Sequence, residues 1–239
     1  MTIRVNALGQ PIGPALPDWT PCERPARTAM DGRTVRLEPL DPAAHGDDLW
    51  AAFSADETGR MWTYLPVGPY EQREAFDAAL ARNAASEDPL FFAVIDLATG
   101  KAVGFATYLR IEPAAGVIEV GFITFSPLMQ RTTASTETMY LMMARVFDEL
   151  GYRRYEWKCD NLNAPSKAAA ERLGFTYEGL FRQAVITKGR NRDTAWFSIL
   201  DSEWPGIKAG FEAWLDPANF HADGRQRRSL AALIAERRI

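Results

Sequence analysis

Apolar residues along this chain change their spacing from segment to segment, and the changes mark out its elements. Residues 116–125 are apolar at nearly every position rather than alternating, which predicts a strand covered on both faces. Met139, Met142, Met143, Val146, Phe147 and Leu150 then recur at helical spacing, with Gly151 as the expected stop. Tyr155, Trp157 and Cys159 alternate with Glu156, Lys158 and Asp160, the pattern of a strand with one drier and one wetter face. A second helix opens after 161–163 and ends at Leu173-Gly174-Phe175. Upstream, the same reading predicts a strand over 33–40, helices over 42–53 and 70–84, and a hairpin of 91–95 with 102–111. Downstream it predicts paired strands over 181–187 and 194–200, then helices near 211–215 and 230–235.

Glu119 is the one carboxylate inside the first of these runs, where an ionised side chain is costly unless it is paired or its pKa rises. Two accounts stand: a general base for an amine, acting directly or through water, and a structural ion pair with one of the chain's arginines. The strand stops at Ser126-Pro127. Gln130, Arg131, Thr132, Thr133, Ala134, Ser135, Thr136 and Glu137 then lead into a helix whose first-turn N–H groups and dipole suit an anion such as a pyrophosphate. Hydroxyls of Thr132, Thr133, Ser135 and Thr136 would add donors, although an ordinary capped helix start explains the same residues. Asn163, with Pro165 in the first turn, reads as an N-cap, and Asn161 or Asn163 also suits the amides of a pantetheine arm. The methionines are read as core filling.

These segments, in this order, resemble the GNAT superfamily over residues 32–204, and in particular its ribosomal-protein-type N-terminal acetyltransferase branch. The family's signature loop runs Gln or Arg, two residues, Gly, one residue, then Gly or Ala. Gln130 and Arg131 match its start, while Thr133 and Ser135 take the two small-residue positions. Glu137, Asn163 with Ser166, and the run from Ala170 to Phe175 also match, and Arg192-Asp193 with Trp196 to Leu200 resembles the branch's closing strand.

The resemblance implies a mixed α/β (α+β) fold: one acyl-CoA N-acyltransferase domain with splayed central strands flanked by helices. It implies direct transfer of an acetyl group from acetyl-CoA to a primary amine, on a small molecule or a protein N-terminus. It places the pyrophosphate on the loop from Gln130 to Thr136, the thioester carbonyl near Ile123, Thr124 and Phe125, and the pantetheine near Asn161, Asn163 and Ser166. Glu119 becomes the base and an acceptor contact, with Trp62 and Tyr64 beside it in an aromatic, proline-containing connection. Covering the core is the competing account of these two aromatics, and the stronger one for Trp62. Many relatives carry a tyrosine acid where this chain has Ala170, so the thiolate's proton is expected from Ser166 or a water, or the thiolate leaves unassisted. The altered loop and missing tyrosine motivate a rival reading, a non-catalytic acyl-CoA sensor or regulatory module.

With 239 residues, 47% hydrophobic and 24% charged, the chain has the composition of an ordinary soluble globular protein with room for one sizeable core. Residues 1–27 are read as a Pro/Gly-containing arm or strap rather than a secretory signal, 28–204 as the acyltransferase domain, and 205–239 as a helical, basic extension. A formal charge of −4 leaves only that basic end for nucleic acid, so it is taken as a solvated or dimer-facing surface, with a homodimer in view. No membrane span is expected. Two cysteines give no disulfide framework and point to the cytoplasm, and two histidines without zinc spacing predict no metal site.

Overall fold

In a computed structural model, which describes residues 4–238, the predicted strands join one eight-stranded sheet of order β3-β4-β5-β6-β7-β8-β10-β9. Its members are β3 (Met30–Asp31), β4 (Val35–Pro39), β5 (Leu90–Asp96), β6 (Lys101–Glu112), β7 (Val117–Phe125), β8 (Arg154–Asp160), β9 (Thr176–Thr187) and β10 (Arg190–Leu200). Neighbours are antiparallel except β7 and β8, whose parallel pairing requires the crossover that α3 (Thr133–Ala144) supplies.

Alternation along the strands sorts the two faces. Ile118, Val120, Tyr155, Trp157, Phe197 and Ile199 enter the main core under α3, α4 (Ala164–Arg172), α5 (Trp204–Leu215) and α6 (Leu230–Ala235). On the opposite face, Phe91, Ala93 and Phe105 pack with α1 (Pro42–Ser54) and α2 (Arg73–Ala85) in a second cluster. Helix starts follow the sequence signals: Asp41 caps α1 with Pro42 beside it, Thr132 caps α3, Asn163 caps α4 and Ser229 caps α6.

The helix expected to run to Leu150 narrows its claim. After Ala144 it widens into a π-type turn, Arg145–Glu149, which puts the buried Arg145 guanidinium 2.8 Å from the carbonyls of Thr28 and Ala29. Those carbonyls belong to a strap. Trp19 Nε1 donates to Ala114 O at 2.9 Å, Cys22 N to Pro113 O at 3.1 Å, and Tyr152 Oη to Glu23 O at 3.0 Å. Ahead of the strap, β1 (Arg4–Val5) and β2 (Pro11–Ile12) form a small exposed hairpin.

At the other end, Ile207, Phe211, Leu230, Leu233 and Ile234 are buried in the main core, so α5 and α6 are part of it. The tail's arginines are largely engaged within the chain: Arg225 pairs with Asp223, Arg228 with Glu236, and Arg238 donates to Gly174 O and Glu203.

A single carboxylate fastens the first strands to the crossover helix. Glu137 on α3, 5% exposed, accepts from the backbone N–H of Arg33 at 2.8 Å and of Thr34 at 2.7 Å, and from the Thr34 hydroxyl. Replacing it leaves two backbone donors without their acceptor, so Glu137→Ala should lower unfolding free energy by about 3 kcal/mol in urea titration, against under ~1 kcal/mol if water replaces it freely.

Candidate active site

The site begins where two strands separate. β7 and β8 pair from Val117↔Arg154 to Val120↔Trp157 and no further, although β7 continues to Phe125 and β8 to Asp160. Beyond Val120 the β8-facing backbone edge of 121–125 therefore has no ladder partner. Phe122 takes a left-handed φ of 44° at a register shift against β6, which turns the strand at the opening. Ile123 and Phe125 are half-buried there, while Thr124 is buried with its hydroxyl donating to Phe122 O at 3.0 Å.

The polar loop closes one end of the opening. Gln130 Nε2 donates to Phe125 O at 2.8 Å, and Arg131 holds φ 62° without being glycine. Thr132 Oγ1 donates to Met129 O and accepts from Ser135 N at 3.3 Å. Ser135 Oγ turns back to Thr132 O at 2.8 Å, and Thr136 Oγ1 accepts from Arg172 at 3.1 Å. Two of the four hydroxyls expected as anion donors, Thr132 and Ser135, thus donate within the fold, and a third, Thr136, is buried against Arg172. What the loop offers is backbone: the first-turn amides of Thr133 and Ala134, which helix geometry leaves without intrahelical acceptors. Because the Ser135 side chain is buried, it leaves the outer surface of that turn clear.

On the other side of the opening, Asn163 caps α4 by accepting from Ser166 N at 3.1 Å, the structural one of its two expected roles. Asn161 Oδ1 accepts from Lys167 Nζ at 3.2 Å. Ser166 Oγ accepts from Trp157 Nε1 at 3.0 Å, and its hydroxyl also lies within hydrogen-bond reach of the Cys159 thiol. Ala170 is fully buried in the core. Cys159 is buried too, and burial pushes its thiol pKa up, which suits a packing residue rather than a nucleophile.

Glu119 sits one residue before the strands part, 4% exposed, on the face opposite the main core. Its Oε2 accepts from Lys158 Nζ at 2.7 Å and from Arg110 Nη1 at 2.8 Å. Among the described residues no donor reaches Oε1, which lies 3.7 Å from where a Cβ on Gly121 would stand. Burial raises the Glu119 pKa, opposed by Lys158 and Arg110 and helped by Glu156. The pairing runs onward: Lys158 also meets Glu156 at 2.7 Å and lies 3.7 Å from the Trp196 ring, while Arg154 joins Glu156 to Glu178. The ion-pair account of Glu119 is thus observed at Oε2, and Oε1 is the oxygen that a base role would use. The sequence pointed to an arginine partner; the buried Lys158 partner was missed, although its place beside Glu156 on the wetter side of β8 was the available signal.

Over this face lies the connection between α1 and α2. Trp62 is 4% exposed and packs edge-on against Phe53 and Tyr70, so it is core, with one side lining a small apolar cavity of ≈30 Å³ shared with Phe122 and Thr124. Tyr64 is half-exposed, and its hydroxyl donates to Leu162 O at 3.0 Å. The β9–β10 turn reaches this connection: Lys188 Nζ donates to Trp62 O at 2.8 Å and Gly68 O at 2.6 Å, and Arg190 to Thr63 O at 3.2 Å.

The family model described as acetyltransferase (GNAT) domain matches residues 34–176. The chain belongs to the GNAT acetyltransferase family. Members of this family are acetyl-CoA-dependent N-acyltransferases, with acetyl-CoA as co-substrate. A crystal structure of a GCN5-related N-acetyltransferase from Brucella melitensis is 51% identical, with a TM-score of 0.91 over 92% of this chain and 100% of that one. An uncharacterized N-acetyltransferase of Bacillus licheniformis, p20, is 30% identical over 48% of this chain and 64% of its own length. A Bacillus subtilis protein provisionally named ribosomal N-acetyltransferase, YdaF, is 33% identical over 28% of this chain and 37% of its own length. The match thus spans less than two thirds of either Bacillus protein. Among the described residues of this GNAT chain, no helix is long and apolar enough to cross a membrane, and no group of His, Cys, Asp and Glu could hold a metal ion.

Removing Lys158 takes one of two cations from each of two buried carboxylates, Glu119 and Glu156. Lys158→Met should cost about 3–5 kcal/mol near neutral pH. Without the cation the Glu119 pKa climbs further above its unfolded value, so the loss is largest where the unfolded chain is ionised and shrinks as pH falls through about 4. Urea titrations at pH 8 and pH 4 check both size and sign; equal losses at the two would contradict the pairing.

Proposed function

We propose that this chain transfers the acetyl group of acetyl-CoA to a primary amine by direct transfer, with both reactants held in the opening between β7 and β8. The observation that carries the reading is the division of labour on Glu119. Two cations fix Oε2, and Oε1 is left free beside Gly121, at the point where the strands part. A carboxylate so placed takes a proton from an ammonium or amine, directly or through one water, and its raised pKa brings its basicity toward neutral pH.

The other residues take supporting roles. Those backbone amides of 121–125 that face away from β6, outside any β8 ladder, are available to a carbonyl oxygen at the opening. The free amides of Thr133 and Ala134 and the positive end of α3 suit the pyrophosphate, so Thr133 and Ser135 in place of small residues do not close the loop to it. The Ser166 hydroxyl, held by Trp157, hydrogen-bonds the departing thiolate until a water supplies the proton, and Asn161, held by Lys167, meets the pantetheine amides. The bound thioester supplies the acetyl group, and holding both partners in one cleft supplies most of the rate advantage. A reducing cytoplasm, where Cys22 and Cys159 stay unpaired, is the setting proposed.

Glu119→Gln keeps the side chain's shape and removes the base. Turnover at neutral pH should fall by about 10²- to 10⁴-fold, with acetyl-CoA affinity nearly unchanged. In the parent chain the rate should rise with pH through the raised Glu119 pKa, and that acid limb should vanish in the variant. An unaltered rate and pH profile would take Glu119 out of the mechanism.

A further inference from the structure

The connection between α1 and α2 is tied down from two other parts of the chain, and the ties lie on the side from which an acceptor must come. It borders β7 at Trp62, which lines one small cavity with Phe122 and Thr124. Tyr64 reaches past the end of β8 to the Leu162 carbonyl at 3.0 Å. Lys188 and Arg190 reach back from the β9–β10 turn to the carbonyls of Trp62, Thr63 and Gly68 at 2.6–3.2 Å. A segment that borders β7 and is anchored beyond β8 and beyond β9 crosses the gap where β7 and β8 separate.

The ties are costly ones to leave idle. Lys188 holds a left-handed φ of 47°. Desolvation and the neighbouring Arg190 pull its ammonium pKa down, so the cation gives up hydration to hold two carbonyls. Beneath the span, Trp62 fills the space against Phe53 and Tyr70, which keeps the segment from sinking into the cleft.

We infer that Lys188 is a specificity-determining residue that roofs the acceptor side of the cleft, so that the acceptor is a compact primary amine rather than the N-terminus of a folded protein. This rests on the acetyl transfer proposed above and names its substrate class. An amine must come within hydrogen-bond reach of Glu119 Oε1, roughly 3 Å, or be linked to it by one water. Under a fixed roof a small amine makes that approach, whereas a folded protein carries its bulk against the span.

The test has two readouts on the parent chain, Lys188→Met and Lys188→Arg. The first is amide hydrogen exchange of residues 62–68. Losing two charge-assisted hydrogen bonds predicts about 10- to 100-fold faster exchange in Lys188→Met, with substantial rescue in Lys188→Arg. The second is CoA release from acetyl-CoA with benzylamine or with a folded protein bearing an exposed N-terminus. The parent chain should turn over benzylamine at least ~100-fold more efficiently than the folded protein, a margin of two factors of ten in transition-state binding. Lys188→Met should raise KM for benzylamine more than it lowers kcat, and should narrow that margin.

Unchanged exchange in Lys188→Met overturns the roof. Faster exchange with the folded protein acetylated as well as benzylamine by the parent chain overturns the substrate class while leaving the proposed reaction in place. CoA release with neither acceptor, in a chain that binds acetyl-CoA, overturns the reaction and this substrate class together.

Discussion

The site depends on a parallel strand pair that stops early. β7 and β8 run side by side only as far as Val120 and Trp157, and the rest of each strand diverges. Parallel neighbours cannot be joined by a hairpin, so the chain must cross between them, and the crossover helix delivers its N-terminus to the same end at which the strands part. One topological constraint therefore places an open backbone edge, a helix N-terminus and the last side chains of the paired stretch within a single cleft. The bulge at Phe122 aims that edge, and Glu119 marks the bottom of the opening.

Electrostatics then organises the part of this face that lies beyond α1 and α2. Arg110, Glu119, Lys158, Glu156, Arg154 and Glu178 alternate in sign across four strands, so each buried charge has an opposite neighbour and none stands alone. Trp196 covers Lys158, and Phe181 stacks on Trp196 at 4.4 Å between centroids. Such a chain of pairs holds a carboxylate in a dry place without consuming both of its oxygens. Burial lifts the Glu119 pKa and the cations check that rise. The family's cofactor and reaction class follow from membership, whereas the roles proposed for individual residues rest on this geometry alone.

Much of the architecture was readable from local pattern. The two-residue and helical periods placed nearly every strand and helix, because each signal is contained in a few neighbouring residues. The altered loop was readable too, although its hydroxyls turned inward: Ser135 and Thr136 bond within the fold, which a first-turn Ser or Thr does for reasons unrelated to a ligand. The reading was weakest where partners are far apart in sequence. Lys158 reaches Glu119 only because the register of β7 against β8 sets Glu119 beside Glu156, two residues before it, and Lys188 meets Trp62 and Gly68 only once the β9–β10 hairpin has folded across. Trp62 shows the same limit, since a buried ring and a substrate contact have the same letter in the chain.

The most direct test of the central claim, that the parting of β7 and β8 is where acetyl-CoA binds, is a backbone amide NMR titration of the isotope-labelled chain with acetyl-CoA. Saturable shifts concentrated at residues 121–125, 131–136 and 161–166 are the predicted result. Saturable shifts elsewhere with these amides unmoved, or no saturable change at all, would contradict it.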